Sequence, residues 1–339
     1  MAQRAGVSVS TASRVLNGYE FVSPQARSRV LVAVEELKYR PNVAARSMRT
    51  GTSRAIGFVV SDFSNPLFSA IAKGVDEIVH PHGYSLVLAN SQNDSEREAE
   101  AIALLRQRRV DGLIVAVADE RAPSLAERLE GFPATVLLDR EVPGARADAV
   151  LSDHSSGMAQ ALAHLADLGH RRIALIAGSQ GQRGSRARVE SYRASHVDLG
   201  LAVDERLART GELSAETGYL ALRELLASDA PPTAVIAGNN QLFVGVLSAL
   251  RDLGLRIPQD VSLVTCDDID LSRLHDPPID VIDRDPLELG RTAAHLVLAR
   301  LEARDGPPLA ETRATVFHPR ASSAPAATSV EARPAPSIP

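Results

Sequence analysis

The apolar positions of this chain change rhythm once. Up to about residue 50 they recur at intervals of three and four, the period of a helix. Ala12, Val15 and Leu16 form one such face, and Val30, Leu31, Val34 and Leu37 another. From Ala55 onward, short continuous apolar runs alternate with helical stretches. The runs 55–60, 85–89, 112–117, 134–138, 172–177, 234–237 and 261–266 read as buried strands of parallel sheets, which lack a polar face to alternate with. Amphipathic stretches at 96–108, 155–168, 214–227 and 242–253 lie between them. Alternation of this kind predicts parallel sheets covered by helices on both faces. About 270 residues of it suit two doubly wound lobes better than one sheet.

The first fifty residues carry end signals. Ser8 suits a helix N-cap and Gly18 a left-handed stop, so 8–18 is a predicted helix. Its polar side carries Val9, Ser10, Ser13, Arg14 and Asn17. Gly6 suits the tight turn of a helix-turn-helix, with residues 1–5 as the end of a helix that begins earlier. Ser23-Pro24 open a third helix, which Pro41 ends. Asn42 can cap a segment over 42–49, too short to be a helix on its own. Residues 50–53 read as a linker, and the Ala-, Pro- and Ser-rich end of the chain as a disordered tail.

Charge sharpens this division. The chain of 339 residues has a formal net charge of −5. Residues 1–54 carry nine basic and three acidic side chains, a net +6, which leaves −11 on the rest. A basic head on an acidic body suits a head that meets polyphosphate. The single cysteine, Cys266, excludes an internal disulfide and fits a reducing compartment. No apolar run approaches the roughly 18 residues of a membrane span, and the N-terminus lacks a secretory h-region. A cytoplasmic location and no membrane partner are expected. The nine histidines show no metal spacing. The glycine-rich segment 178–184 lacks both the Gly-x-Gly of dinucleotide folds and the Gly-Lys of a P-loop. Neither an enzyme activity nor a cofactor is expected. His164 and His170 flank a helix end, where capping or solvation is expected.

Several segments together resemble the lactose/galactose-repressor (LacI/GalR) family of transcription regulators. They are residues 6–18, 39–49 (YRPNVAARSMR), Ser64-Asn65-Pro66, 110–114 (VDGLI), 168–173 (LGHRRI), 257–262 (IPQDVS), Asp267-Asp268 and 320–322 (RAS). The match runs in order over residues 1 to about 323. The resemblance implies an all-α helix-turn-helix head over 1–41 with a truncated first helix. It implies a hinge helix and linker over 42–53 and a two-lobed, periplasmic-binding-protein-like α/β body over 54–323. The N-lobe would take about 54–152 and 284–310, the C-lobe about 153–281 and 311–323, and the tail 324–339. It implies an effector-controlled DNA-binding regulator, a repressor. Its partners would be a palindromic double-stranded operator, a small-molecule effector (a sugar) and a second copy, as dimer or tetramer. Family members carry residues ahead of the position of Met1, which a valine start codon assigned as Met1 would explain.

Carried over by position, Val9, Ser10 and Arg14 read bases, while Ser8, Thr11, Ser13 and Asn17 hold phosphates. Asn42, Ala45, Ser47 and Met48 belong to a minor-groove hinge in which Met48 stands where a leucine wedges between base pairs. In the body, polar residues follow the apolar runs where ligands of open α/β sheets bind. These are Asp62, Ser64 and Asn65, then Asp139, Asn239 and Asp267. Arg188 falls at the family's effector-clamping arginine and Phe68 at a stacking aromatic. Carboxylates, amides and an arginine suit a polyhydroxyl ligand. Asn240, Ser191 and Thr265-Cys266 depart from the family pattern and bear on the effector's identity. The alternatives are a body that dimerises and binds ligand beneath a defective head, and a transporter's sugar-binding protein, against which the basic head argues.

Overall fold

The computed structural model describes residues 1–16, 19, 21–38, 51–303 and 305–326. The chain divides into two compact units, Met1–Ser53 and Arg54–Pro339. The expectations for Asn17, Gly18, the Pro41 helix stop and the hinge residues Asn42, Ala45, Ser47 and Met48 lie outside the described residues.

In the first unit, residues 1–5 make one helical turn that Gly6 stops. The Val7 N–H bonds Ala2 O at 3.2 Å and the Gly6 N–H bonds Gln3 O at 3.2 Å, the crossed pair of a Schellman stop. Gly6 has φ +61°, where a side chain would be strained. Then comes α1 (Val9–Leu16), capped by Ser8, whose Oγ accepts the Thr11 N–H at 3.1 Å. Next, α2 (Pro24–Glu36) starts where Ser23 accepts the Ala26 N–H. Ala5, Ala12, Val15, Val30 and Ala33 form the core between them. The buried stripe of α2 differs from the expected one. Ala26, Val30 and Ala33 are buried, while Leu31 and Leu37 are about half exposed. The small alanines let α2 lie close to its neighbours, and Leu37 falls past the helix end as its cap. Leu16 is only half-buried, beside the buried Ala12 and Val15.

The second unit holds β1 (Ala55–Val60), α3 (Pro66–Val79), β2 (Ser85–Asn90), α4 (Ser95–Gln107), β3 (Gly112–Val115), α5 (Leu125–Leu129), β4 (Thr135–Leu138) and β5 (Asp148–Asp153). It continues through α6 (His154–Asp167), β6 (Ile173–Ala177), α7 (Arg183–Asp198), β7 (Ala208–Thr210), α8 (Ala215–Leu226), β8 (Ala234–Ala237), α9 (Asn240–Asp252) and β9 (Ser262–Cys266). It ends with α10 (Asp270–Leu274), β10 (Asp280–Asp283), α11 (Pro286–Glu302), β11 (Ala310–Ala314) and β12 (Val316–His318).

Two six-stranded sheets result, ordered β11-β5-β4-β3-β1-β2 and β12-β10-β9-β8-β6-β7. All pairs are parallel except β10 with β12. Successive residues feed opposite cores. Phe58 and Val60 point into one cluster and Val59 into another; Ala174 and Ile176 alternate likewise with Ile173 and Leu175. The apolar runs are continuous because both faces are covered.

The sequence pattern missed β5, β7, β10, β11 and β12, which are short or carry polar ends. β11 reads AETRA, is largely exposed, and exists by pairing with β5. Its place in the first sheet puts the last crossing between lobes after Ala314, later than the expected 310. That crossing is pinned by Thr315, whose hydroxyl donates to Asp153 O at 2.6 Å and accepts the Gly157 N–H at 3.0 Å.

Two further expectations are corrected here. Residues 324–326, assigned to the tail, are ordered against the C-lobe. The Ala326 N–H bonds Leu168 O, and Ala324 O accepts from His170 Nε2 at 3.0 Å. His170 is therefore buried, with Thr233 and Ser262 as further partners, and not solvated. His164 binds Ser323 Oγ at 2.8 Å. Residues 327–339 lie outside the described part.

Candidate functional site

Two surfaces carry the expected chemistry. The first is α1. With Ala12 and Val15 turned inward, Val9, Ser10 and Arg14 are exposed on the other side, Val9 at 78%. A cation and an apolar tip on an exposed helix suit base edges in a major groove. The hydroxyls of Ser8 and Thr11 lie 2.8 Å apart, and Ser8 is 2.8 Å from Ser10. The cap and the proposed phosphate donors thus form one small network. Ser13 is half-buried and also engaged.

The second surface is the cleft between the lobes of the body, at the C-terminal ends of the parallel strands. A cavity of about 870 Å³ opens there, lined by Asp62, Asn65, Ser179, Gln182, Asn240 and Gln241 among others. Both lobes contribute, and polar pairs cross between them. Asn240 Nδ2 donates to Asn65 Oδ1 at 2.7 Å, and Gln241 Nε2 to Asp62 Oδ2 at 2.7 Å. The buried Glu120 likewise accepts the Arg183 N–H at 2.7 Å and Arg186 Nη2 at 2.6 Å.

A buried charged cluster also joins strand ends of the two lobes. Asp139 follows β4 and Asp267 follows β9, equivalent places in the two sheets. Each takes a left-handed turn, φ +53° and +71°, an uncommon conformation for a residue with a side chain. Each bonds back to the adjacent strand, Asp139 N–H to Val150 O and Asp267 N–H to Ile282 O. Asp139 accepts from His154 Nε2 at 2.9 Å, the Ser152 N–H at 3.0 Å and Arg284 Nη1 at 2.7 Å. Burial lowers the His154 pKa to about 4, so near neutral pH its ring is uncharged and donates to the carboxylate. Burial opposes ionisation of Asp139, but His154, Arg284 and Arg140 hold its pKa well below the usual carboxylate range.

Arg188, on α7, is 94% buried. The carboxylates of the cluster are held by other arginines, Asp139 by Arg284 and Arg183 and Asp267 by Arg284. The Arg188 guanidinium is close enough to the Cys266 thiol to oppose the rise in pKa that burial causes there, and no carboxylate lies within 4 Å of it among the described residues. Of the seven expected effector residues, Asp62 and Asn65 line the cavity, and Asp139, Arg188 and Asp267 build the cluster. Asn239 caps α9, its Oδ1 accepting the Leu242 N–H at 2.8 Å. Phe68 packs in the N-lobe core and is not a lining residue of the cavity. Gln241, Glu120, His154 and Arg284 were not anticipated. The charged triplet Asp283-Arg284-Asp285 after an apolar pair was the one signal in the sequence for Arg284.

Glu98 adds a pH-dependent term beside this cluster. Its buried carboxyl accepts the Ala118 N–H at 2.7 Å, and burial pushes its pKa up to about 7 from 4.5. Between these values the unfolded chain has lost a proton that the native chain keeps. Stability from this group is therefore present at low pH and lost as pH rises, by about 3 kcal/mol in all. Relative to wild type, Glu98→Gln should gain about that much between pH 4 and 8 in urea unfolding. A difference independent of pH would contradict the assignment.

Known proteins match both surfaces. Residues 1–42 match the family described as bacterial regulatory proteins, lacI family. Residues 53–320 match the periplasmic binding proteins and sugar binding domain of LacI family. The ribose operon repressor of Escherichia coli strain K12 is 35% identical over 303 residues, 89% of this chain and 92% of that protein. The HTH-type transcriptional repressor PurR of Haemophilus influenzae strain PittEE is 34% identical over 307 residues, 90% of this chain and 91% of that protein. The Lac repressor dimer bound to operator and the anti-inducer ONPF superposes with a TM-score of 0.83 at 25% identity, covering 95% of this chain and 97% of that one. The exposed polar face of α1, the two-lobed body with its polar cleft and these matches agree: the chain belongs to the LacI family of DNA-binding transcriptional regulators.

Proposed function

We propose that the protein is a cytoplasmic, dimeric repressor and not an enzyme. Two copies of α1 read a palindromic operator, and a small polyhydroxyl effector, a sugar, binds between the lobes and changes operator affinity. The polarity of α1 carries the DNA reading, with Ala12 and Val15 buried while Val9, Ser10 and Arg14 stand exposed. Relatives named as repressors, and the Lac repressor dimer on its operator, support the dimer and the operator. The polar cavity and the acid–arginine cluster beside it support the effector. Phosphate contacts by the basic head make binding fall steeply with salt.

Gel shifts on selected palindromic duplexes test the reading, followed by a thermal-shift screen of sugars and nucleosides. Selective binding to a palindrome, altered by a compound that raises Tm, is expected. A protein that binds every duplex alike would overturn it. Arg14→Ala should reduce discrimination between operator and random duplex by about 1–3 kcal/mol, the worth of a bidentate guanine contact. Equal loss on both duplexes would show that Arg14 only holds phosphate.

A further inference from the structure

Arg284 sits where the chain passes from β10 of the C-lobe sheet to α11, which packs against α3 of the N-lobe. Its Nε donates to Asp267 Oδ1 at 2.8 Å and its Nη1 to Asp139 Oδ2 at 2.7 Å. The side chain is 11% exposed. One guanidinium thus spans the strand-end carboxylates of both lobes, the groups that the effector reading assigns to the ligand. We propose that Arg284 is a tethered occupant of the effector position, which holds the lobes together and which the effector must displace.

The proposal rests on the reading of the cleft as the effector site. Two buried carboxylates need compensation, and removing one partner of a buried pair is far costlier than exchanging it for an equivalent donor. An effector that takes Asp139 Oδ2 or Asp267 Oδ1, the oxygens that Arg284 holds, therefore competes with it. Its apparent affinity falls with the fraction of molecules in which Arg284 has let go. Acceptor capacity that Arg284 does not fill remains in the cluster and in the cavity wall. Asp267 Oδ2 and Asn240 Oδ1 are buried without a hydrogen-bond partner among the described residues. A ligand rich in donors would satisfy them and offset the loss of the guanidinium. Because the two aspartates belong to different lobes, the exchange is coupled to lobe orientation. Arg284 thereby determines which effectors are admitted and what their binding does to the body.

The test needs no effector. Full-length wild type and Arg284→Ala are compared by small-angle scattering and operator binding, with and without millimolar ethylguanidinium, an untethered copy of the lost group. The variant should have a larger radius of gyration and an operator affinity changed about 5-fold or more, the low end of allosteric couplings. Ethylguanidinium should return both values toward wild type and leave wild type itself unmoved. Wild-type dimensions and operator affinity in the variant, whatever its Tm, would overturn the proposal. So would changes that ethylguanidinium does not reverse. Should Arg284→Ala fail to fold, Asp267→Asn removes one end of the bridge and is judged by the same dimensions and affinity. A wild-type protein without a palindromic operator would defeat the repressor reading alone, because the scattering result stands apart from it.

Discussion

Arg188→Ala should keep operator binding and lose the effector response. The guanidinium is deeply buried near the Cys266 thiol, while the carboxylates of the cluster are held by other arginines. A buried cation without a carboxylate is expensive to keep. Its removal should therefore leave Tm unchanged or raise it. Residues that cost stability where they stand are characteristic of binding sites. With whichever sugar or nucleoside alters operator binding of the wild type, the variant should require roughly 100-fold more, about the loss of one charge-assisted anchor. Its affinity for the operator alone should stay within about 2-fold, or roughly 0.4 kcal/mol, since Arg188 belongs to the second unit and not to the head. An effector response within a few-fold of wild type would show that Arg188 is a packing residue. A large drop in Tm would show the same.

The sequence made part of this site legible for a simple reason. Apolar runs that end on a polar residue mark where a covered strand emerges at a sheet edge, and Asp139 and Asp267 both follow such runs. Arg284 was hidden because its strand, DVID, begins and ends on acids and has too few apolar residues to show a period. Asp280 is nevertheless wholly buried, satisfied by the Arg320 and Ser322 N–H groups from the far end of the chain. Pairing across 40 residues leaves no local signal. Asn239 and Asn240 show the opposite difficulty, because both are polar and adjacent at a strand end. The first is spent as a helix cap, and the second faces the cavity. Phe68 was legible as a core residue after all. It shares the helical stripe of Leu67, Ile71 and Val75, and all four are buried.

Gly245→Ala should destabilise the body by about 3 kcal/mol or more, beyond the usual range for overpacking. A Cβ at Gly245 would stand 1.9 Å from Ala215 O and 2.7 Å from the Tyr219 nitrogen. One at Gly218 would stand 2.2 Å from Leu242 O. Both obstacles are backbone, so no side chain can turn aside. The helices α8 and α9 are in main-chain contact, and room for one methyl requires separating them. That separation would disturb the buried faces of both, Leu222 and Leu225 on α8 and Leu242, Phe243 and Val246 on α9. At this size, a loss of about 3 kcal/mol lowers Tm by roughly 6–12 °C. Ser248→Ala on the same helix, removing a hydroxyl that only donates to Val244 O, should stay within about 0.5 kcal/mol. Scanning calorimetry separates the outcomes, and equal Tm for the two variants would mean that α8 and α9 do not touch in solution as they do here. The consequence reaches the cleft, because α9 begins at Asn240, which lines the cavity and bonds Asn65 across it. A displaced α9 moves one wall of the proposed effector site, so the variant's response to a sugar should weaken along with its stability.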